Sequence, residues 1–179
     1  MAHEIEIRAV LTEQKYEELK KLLPQKFKQV NNDTITTVRF RPKDVRVKYS
    51  NKGCEFVCKD EDVMKFSRNE LTVKLSSEKD GKAMEEALKR LGFNHDPPWI
   101  KEEHDFVCEF EGNKYSLCLQ HIRNFAYVLE AEIVCEDNEE EKHVPVLKKL
   151  LSSLGCEPIG IQEYRAMIND YIKKNENRS

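Results

Sequence analysis

The sequence predicts an α+β fold, in which an antiparallel barrel of about eight strands forms a tunnel with amphipathic helices against its outside. Three observations support this prediction. Most strand-like segments alternate polar and apolar residues, so that each strand has one charged face and one apolar face. The charged faces carry acids and bases together rather than one sign alone. Further segments have helical periodicity with one apolar face, and such helices need apolar sheet surface to cover.

The chain opens with a strand followed by a helix. Residues 2–10 alternate, with Glu4 and Glu6 on one face and isoleucines between and after them. The helical periodicity that follows begins after Thr12, which is a suitable N-cap. Pro24 is expected to end this helix.

A meander of short strands comes next, because alternating segments are separated by turn residues. The predicted strands cover residues 35–40, 45–49, 55–59 and 69–75. Turns at Pro42 and at residues 51–53, and an acidic loop near Asp60, separate them. A helix is predicted over residues 81–91, and Gly92 provides its C-terminal signal.

The second half of the chain adds a hairpin, another strand and two helices. The predicted elements are strands 103–110, 114–121 and 125–135, and helices 139–154 and 162–174. Glu111, Gly112 and Asn113 form the predicted hairpin turn. An acidic run opens the first of these helices, where the helix dipole favours negative charge.

Composition limits the classes of function. The 179 residues suffice for one domain with a core, so we expect residues 1–179 to form a single domain. A net charge of −3 argues against electrostatic capture of duplex nucleic acid. No apolar run approaches the roughly 18–20 residues that span a bilayer, and carboxylates from Glu4 onward do not fit a signal peptide. We expect a cytoplasmic protein without a membrane partner.

The six cysteines do not suggest a metal or disulfide framework. None forms a CxxC pair, and most lie within apolar strand-like stretches. A zinc site needs closely spaced ligand pairs, and a disulfide framework suits a smaller secreted domain. We interpret them as reduced thiols that serve as small core residues.

Residue parity collects the charged residues on one face of each strand. The members of this set are Glu4, Glu6, Arg8, Arg46, Lys48, Arg68, Glu70, Lys74, Glu130 and Glu132. For any single strand, a solvated face is the simpler interpretation. Because the pattern recurs on several strands and the helices need the apolar faces, we expect the charged faces to line the barrel interior.

Such an interior constrains its ligands. Close carboxylates repel each other, and burial raises their pKa values unless cations compensate. A divalent ion that prefers oxygen ligands, such as Mg²⁺ or Mn²⁺, compensates well. Arginines and lysines facing the same space favour an anion with many oxygens, and phosphate chains fit that description. The combination predicts metal-dependent phosphoryl-transfer chemistry.

These motifs resemble those of the CYTH superfamily, the triphosphate tunnel metalloenzymes. Its members include class IV adenylate cyclases, thiamine triphosphatases, inorganic triphosphatases and fungal-type RNA triphosphatases. Glu4, Glu6 and Arg8 resemble the family's opening ExExK signature, with arginine in place of lysine. The later elements follow in the family's order: Arg46 with Lys48, Lys59, Arg68 with Glu70, the Leu-Gly-Phe turn at 91–93, Glu130 with Glu132, and Glu163-Tyr164 at a Ser-Tyr position.

Three places depart from the family's pattern. Gln120 stands where an aspartate is common, and Glu103 stands where a K-x-R element beginning at Lys101 would have arginine. Phe125 and Ala126 replace a Leu-Gly turn. These departures leave both one and two metal ions possible, and they leave the strength of substrate binding open.

The resemblance implies roles for the charged residues. The metal ligands, which would hold one or two Mg²⁺ or Mn²⁺ ions, are Glu4, Glu6, Glu70, Glu130 and Glu132. The residues that bind triphosphate are Arg8, Arg46, Lys48, Lys59, Arg68, Lys74 and Lys101. The catalytic residues are Glu4, Glu6, Arg8 and Lys59. Arg39 and Arg41 are weaker candidates, for which a solvent-facing position is left open.

Three functions remain open from the sequence. The first is a metal-dependent triphosphatase that acts on inorganic triphosphate, thiamine triphosphate or a nucleoside triphosphate. The second is a class IV-type adenylate cyclase, although no residues for an adenine pocket can be identified. The third is a non-catalytic polyphosphate-binding module. In each case the partner is a small molecule that carries a triphosphate, and a homodimer is left open.

Overall fold

The computed structural model describes residues 3–59, 67–135 and 139–176, so the predicted acidic loop near Asp60 lies outside the described residues. The strands in this part of the chain are β1 (His3–Leu11), β2 (Lys28–Arg41), β3 (Asp44–Ser50), β4 (Gly53–Lys59), β5 (Ser67–Leu75), β6 (Asn94–His95), β7 (Trp99–Phe110), β8 (Asn113–Ile122) and β9 (Ala126–Cys135). The helices are α1 (Glu13–Lys26), α2 (Glu78–Arg90), α3 (Glu140–Ser153) and α4 (Ile161–Glu176). None of these helices has the length and apolar content that crossing a membrane would require.

The long strands form one sheet that closes on itself. They follow the order β3-β4-β5-β1-β9-β8-β7-β2, and β3 also pairs with β2, which joins the last strand to the first. Neighbouring strands pair antiparallel, and the two-residue β6 pairs with β2 outside this ring. The predicted α+β barrel is therefore confirmed.

Strand register brings charged residues from different strands together inside the ring. Glu6 of β1 lies opposite Glu132 of β9, and Arg8 lies opposite Glu130. Residues directly opposite each other on paired strands point to the same face of the sheet. Ile7, between Glu6 and Arg8 on β1, points to the other face and is buried under the helices.

Two apolar clusters attach the helices to the outside of the barrel. The larger cluster joins α1 and α3 to β1, β8 and β9, and it includes Tyr16, Leu19 and Leu147. The smaller cluster joins α2 to β2, β3 and β4. The helices do not cover the apolar face of β5, whose Leu71 and Val73 are exposed. The main contacts of α2 are with β3 and β4, and those of α3 are with β1 and β9, so β5 lies between the covered areas.

Local signals explain where the helices begin and end. The Thr12 side chain accepts a hydrogen bond from the backbone N–H of Lys15, which confirms the predicted cap of α1. The prediction that Pro24 ends α1 is wrong, because Pro24 lies within the last turn of the helix, which continues to Lys26. The α2 helix begins earlier than predicted, since Ser77 caps it.

The β2 strand begins at Lys28, seven residues before the predicted start at residue 35. Its first half, from Lys28 to Thr34, is mostly polar and exposed, so it lacks the alternation that identifies a half-buried strand. This half nevertheless pairs with β7, across an irregularity between Gln29 and Asn31. Backbone pairing, which the sequence pattern does not reveal, extends the strand.

Gly81 marks a close approach between α2 and the barrel. A Cβ at this position would lie 2.5 Å from Cys54 Sγ and 2.7 Å from Tyr49 Cε1. We expect Gly81→Ala to lower the free energy of unfolding by about 1–2 kcal/mol, because overpacking outweighs the helix propensity of alanine. Urea denaturation measures the change. Gly160→Ala, where no atom lies within 4 Å of the added Cβ, should cost less; a Gly81→Ala protein as stable as wild type would contradict this packing.

Candidate metal and anion site inside the barrel

Three glutamates from two neighbouring strands meet inside the barrel. Glu4 and Glu6 lie on β1, and Glu132 lies on β9. One carboxylate oxygen of each lies within 4.8 Å of the other two. Carboxylate oxygens grouped in this way can ligate a hard divalent cation such as Mg²⁺ or Mn²⁺. We call this group the glutamate triad.

The cations around the glutamate triad do not offset the negative charge of Glu132. Burial of Glu132, together with repulsion from Glu4, Glu130 and Glu6, raises its pKa from 4.5 to about 8. Lys59 acts in the opposite direction but does not offset these effects. A bound cation would favour the ionised form of Glu132, so the electrostatics of the triad suit a positive ligand.

The other two predicted metal ligands are engaged with cations or amides. Glu130 accepts hydrogen bonds from Arg8 Nε and from Gln120 Nε2, both at 2.5 Å. Glu70 lies 2.7 Å from Lys59 Nζ. Burial acts to raise the pKa of Glu70, but the ion pair with Lys59 outweighs it and the pKa is lowered. The structure thus groups Glu4, Glu6 and Glu132. It does not place Glu130 and Glu70 in the glutamate triad.

Two cations, the buried Lys59 and the partly buried Arg8, hold the glutamates in place. Arg8, which bonds Glu130, also lies 2.6 Å from Glu6 through Nη2. Lys59 Nζ donates to Glu4 at 2.6 Å. Burial acts to lower the pKa of Lys59, but the charges of Glu6 and Glu4 outweigh it and the pKa is raised. These cations stay charged and fix the carboxylates near each other.

A cavity of about 120 Å³ lies beside Arg8. Its cationic lining residues are Arg8, Arg39, Arg46 and Lys101, and its aromatic ones are Trp99 and Tyr164. Thr37 also lines it, and the buried Thr37 hydroxyl has no hydrogen-bond partner among the described residues. Because an unpaired buried hydroxyl is costly, the cavity favours a ligand with polar atoms and negative charge.

The remaining predicted triphosphate-binding residues lie elsewhere. Lys48 is partly buried, and burial together with repulsion from Lys101 and Arg46 lowers its pKa. Lys74 is exposed at the position opposite Glu55. The Arg68 side chain lies outside the described residues, although its backbone pairs with β1. The structure therefore places Arg8, Arg46 and Lys101 at the cavity, but not Lys74.

The positions that depart from the family's pattern have partners of their own. Gln120 holds Glu130, and the buried Glu103 forms an ion pair with Lys101. Glu103, Asp105 and Cys118 also place one potential ligand atom each within 4.8 Å of one another. Gln120 and Glu103 thus bond to charged residues of the barrel interior and are not left without partners.

Sequence reasoning missed part of the cavity wall. The solvent-facing option for Arg39 is wrong, because Arg39 lines the cavity and bonds the buried Asp44. A signal was present, since Arg39 and Thr37 share one face of β2 while Val38 and Phe40 occupy the opposite, buried face. The sequence did not indicate that this face of β2 points into the closed barrel, where it forms part of the cavity wall.

Comparisons with known proteins identify the fold. No protein-family model and no curated protein sequence matches the chain. Among solved structures, the PH1819 protein from Pyrococcus horikoshii OT3 matches with a TM-score of 0.74 at 19% identity, over 94% of this chain and 99% of that chain. A proposed adenylate cyclase from Vibrio parahaemolyticus matches with a TM-score of 0.67 at 10% identity, over 93% and 97% of the two chains.

A third match is HpAC1 from Hippeastrum, a proposed adenylyl cyclase described as having a dominant triphosphatase activity. Its TM-score is 0.62 at 12% identity, over 95% of this chain and 96% of that chain. The chain has the fold of the CYTH superfamily. At these identities the likeness establishes the CYTH fold, and the activity has to be argued from the site.

The metal-free form of this CYTH-fold protein should lose stability as pH rises. The Glu132 carboxyl has a pKa of about 8 in the folded protein and an ordinary value of 4.5. Between these values the folded state binds more protons than the unfolded state, so the stability present below about pH 5 is lost toward pH 8. We expect the loss to be at least about 1 kcal/mol, since one pKa unit corresponds to about 1.4 kcal/mol.

Urea denaturation in EDTA at a series of pH values measures this loss. In Glu132→Gln, which has no titrating carboxyl at this position, the decrease should be smaller than in wild type. Equal decreases in both proteins would show that Glu132 ionises normally in the folded state. Millimolar Mg²⁺ should reduce the decrease in wild type.

Proposed function

We propose that the chain is a divalent-metal-dependent triphosphatase that hydrolyses a triphosphate inside the barrel. One observation carries this proposal: the same barrel interior holds a carboxyl, Glu132, and an ammonium, Lys48, whose charged forms are both disfavoured by their surroundings. Burial and repulsion raise the pKa of Glu132, whereas burial and the charges of Lys101 and Arg46 lower the pKa of Lys48. A divalent cation would relieve the first imbalance, and a phosphate chain would relieve the second.

The glutamate triad is the proposed metal site. Mg²⁺ or Mn²⁺ is the proposed ion, because the three residues of the triad offer carboxylate oxygens. A divalent ion bound there supplies Lewis-acid polarisation of a phosphoryl oxygen and lowers the pKa of a coordinated water. Arg8 and Lys59 hold Glu6 and Glu4 for this purpose through the ion pairs described above.

The cations of the cavity are the proposed triphosphate-binding residues. Arg8, Arg39, Arg46 and Lys101 line it, and their N–H groups can bind phosphoryl oxygens. In phosphoryl transfer, positioning and electrostatic stabilisation account for most of the catalysis. Charge that develops on the phosphoryl oxygens and the leaving group would be stabilised by these residues.

Two observations favour hydrolysis of a compact substrate, and inorganic triphosphate is the one we propose. The cavity volume of about 120 Å³ is below the roughly 300–1,000 Å³ of pockets that hold drug-sized ligands. The Hippeastrum protein with the same fold is described as having a dominant triphosphatase activity, which supports hydrolysis over cyclisation.

A substrate panel tests the proposal. Purified protein is incubated with inorganic triphosphate, thiamine triphosphate or ATP, each with Mg²⁺, Mn²⁺ or EDTA, and phosphate and cyclic AMP are measured. We expect metal-dependent release of phosphate, fastest from inorganic triphosphate, and no release in EDTA. Cyclic AMP from ATP would instead indicate a cyclase. Binding of triphosphate without any product would indicate a non-catalytic polyphosphate-binding module.

A further inference from the structure

Asp44 forms hydrogen bonds with two arginines of the cavity wall. It is 3% exposed and is not one of the lining residues, whereas Arg39 and Arg46 both line the cavity. Asp44 Oδ1 accepts hydrogen bonds from Arg39 Nε at 3.2 Å and from Arg46 Nε at 2.8 Å. Asp44 Oδ2 accepts from Arg46 Nη2 at 2.8 Å. One buried carboxylate that does not line the cavity therefore contacts both guanidinium groups.

The hairpin of β2 and β3 produces this arrangement. Arg39 and Arg46 lie directly opposite each other in the register of the two strands, so their positive charges face the same side of the sheet. Like charges in this position destabilise a sheet. Asp44 lies two residues before Arg46, on the same face of β3. Its carboxylate offsets the repulsion and links the two arginines.

Arg39 has a second carboxylate close to it. Asp96 is fully buried, and its Oδ2 lies 3.8 Å from Arg39 Nη1. The Asp96 backbone N–H also donates to the Arg39 carbonyl at 2.8 Å, which fixes the distance between the two residues. Arg46 binds Asp44 through Nε and Nη2, so it keeps further N–H donors, and the residue lines the cavity.

We propose that Asp44 is a positioning residue that presents Arg39 and Arg46 as a preformed pair to the phosphoryl oxygens of a polyphosphate. This inference rests on the proposed function, because it takes the cavity as the triphosphate site. An arginine that is already held by a buried carboxylate loses less side-chain freedom when it binds an anion. Asp44 thus raises affinity without touching the ligand.

Binding of inorganic triphosphate, measured by calorimetry in EDTA, tests the proposal without turnover. We expect Asp44→Asn to weaken binding by about 10- to 100-fold, which is the range for lost hydrogen bonds to charged groups. Asp33→Asn is the matched control. Asp33 is another buried carboxylate on the barrel, at 6% exposure, but its Oδ1 accepts from the backbone N–H groups of Thr34 and Asn51. This control should bind as wild type does.

A double-mutant cycle separates positioning from a general effect on structure. If Asp44 acts largely through Arg46, Asp44→Asn should weaken binding by less than about threefold in a protein that already carries Arg46→Lys. Additive losses would overturn the proposal. Wild-type affinity in Asp44→Asn would overturn it alone and leave the proposed function intact. A wild-type protein that neither binds nor hydrolyses triphosphate, with Mg²⁺ or in EDTA, would overturn the proposed function, and this inference with it.

A measurement on the wild-type protein covers the case in which Asp44→Asn does not fold. Proton exchange with water at the arginine Nε–H groups can be followed by NMR, with assignments from single Arg→Lys variants. We expect slower exchange at Arg39 and Arg46 than at Arg90, whose side chain is 79% exposed. Exchange as fast as at Arg90 would show that Asp44 does not hold the pair.

Discussion

Glu132→Gln should reduce metal-dependent hydrolysis of triphosphate by more than about 100-fold while the protein stays folded. Glu132 supplies one of the three carboxylates of the glutamate triad. Even residues that only support a metal ligand change affinity or activity by about 10- to 100-fold, so loss of a proposed ligand should cost more. The neutral amide also removes repulsion from Glu4, Glu6 and Glu130, so the metal-free variant should be at least as stable as wild type at pH 8.

Phosphate release under saturating Mg²⁺ measures the loss, and calorimetric titration with Mn²⁺ measures metal affinity. Glu102→Gln is the matched control, because Glu102 lies on β7 of the same barrel and its carboxylate pairs with Arg123 rather than with the triad. The control should keep wild-type activity. A Glu132→Gln protein within about threefold of wild-type kcat/KM would show that the triad is not the catalytic metal site.

The strand pattern was sufficient to predict the barrel and the charged interior. Alternation on β1 and β9 placed Glu4, Glu6 and Glu132 on polar faces, and helices with apolar faces required those faces to point inward. That Glu6 lies opposite Glu132 could not be predicted, because register depends on pairing between distant segments. The same reason explains why Glu130, which has the same sequence signal as Glu132, is instead held by Arg8.

The parts that sequence did not predict are residues whose role depends on tertiary neighbours. Asp44 follows Pro42 and Lys43, so its local sequence is typical of a turn. Only the closed sheet shows that its carboxylate is buried between Arg39 and Arg46. Thr37 likewise has an ordinary strand sequence, and its unpaired hydroxyl becomes informative only once the cavity is known.

Arg8→Ala should destabilise the metal-free protein by about 3–5 kcal/mol, the range for removing one partner of a buried ion pair. Arg8 bonds Glu130 at 2.5 Å and Glu6 at 2.6 Å, and the side chains of both glutamates are less than 15% exposed. Removing the guanidinium would leave two buried carboxylates without their shared cation, beside a Glu132 whose ionised form is already disfavoured. Urea denaturation in EDTA at pH 8 measures the effect.

Arg8→Lys is the matched variant, because lysine keeps the charge but lacks the planar fork that reaches both carboxylates. We expect it to lose about 1–2 kcal/mol and to keep hydrolysis within about tenfold of wild type, whereas Arg8→Ala should lose hydrolysis as well as stability. Mg²⁺ should restore part of the stability of Arg8→Ala, since a divalent ion at the glutamate triad replaces some of the missing positive charge. If Arg8→Ala were as stable as wild type in EDTA, water would have to solvate Glu6 and Glu130 inside the barrel. Arg8 would then not be the group that organises these carboxylates.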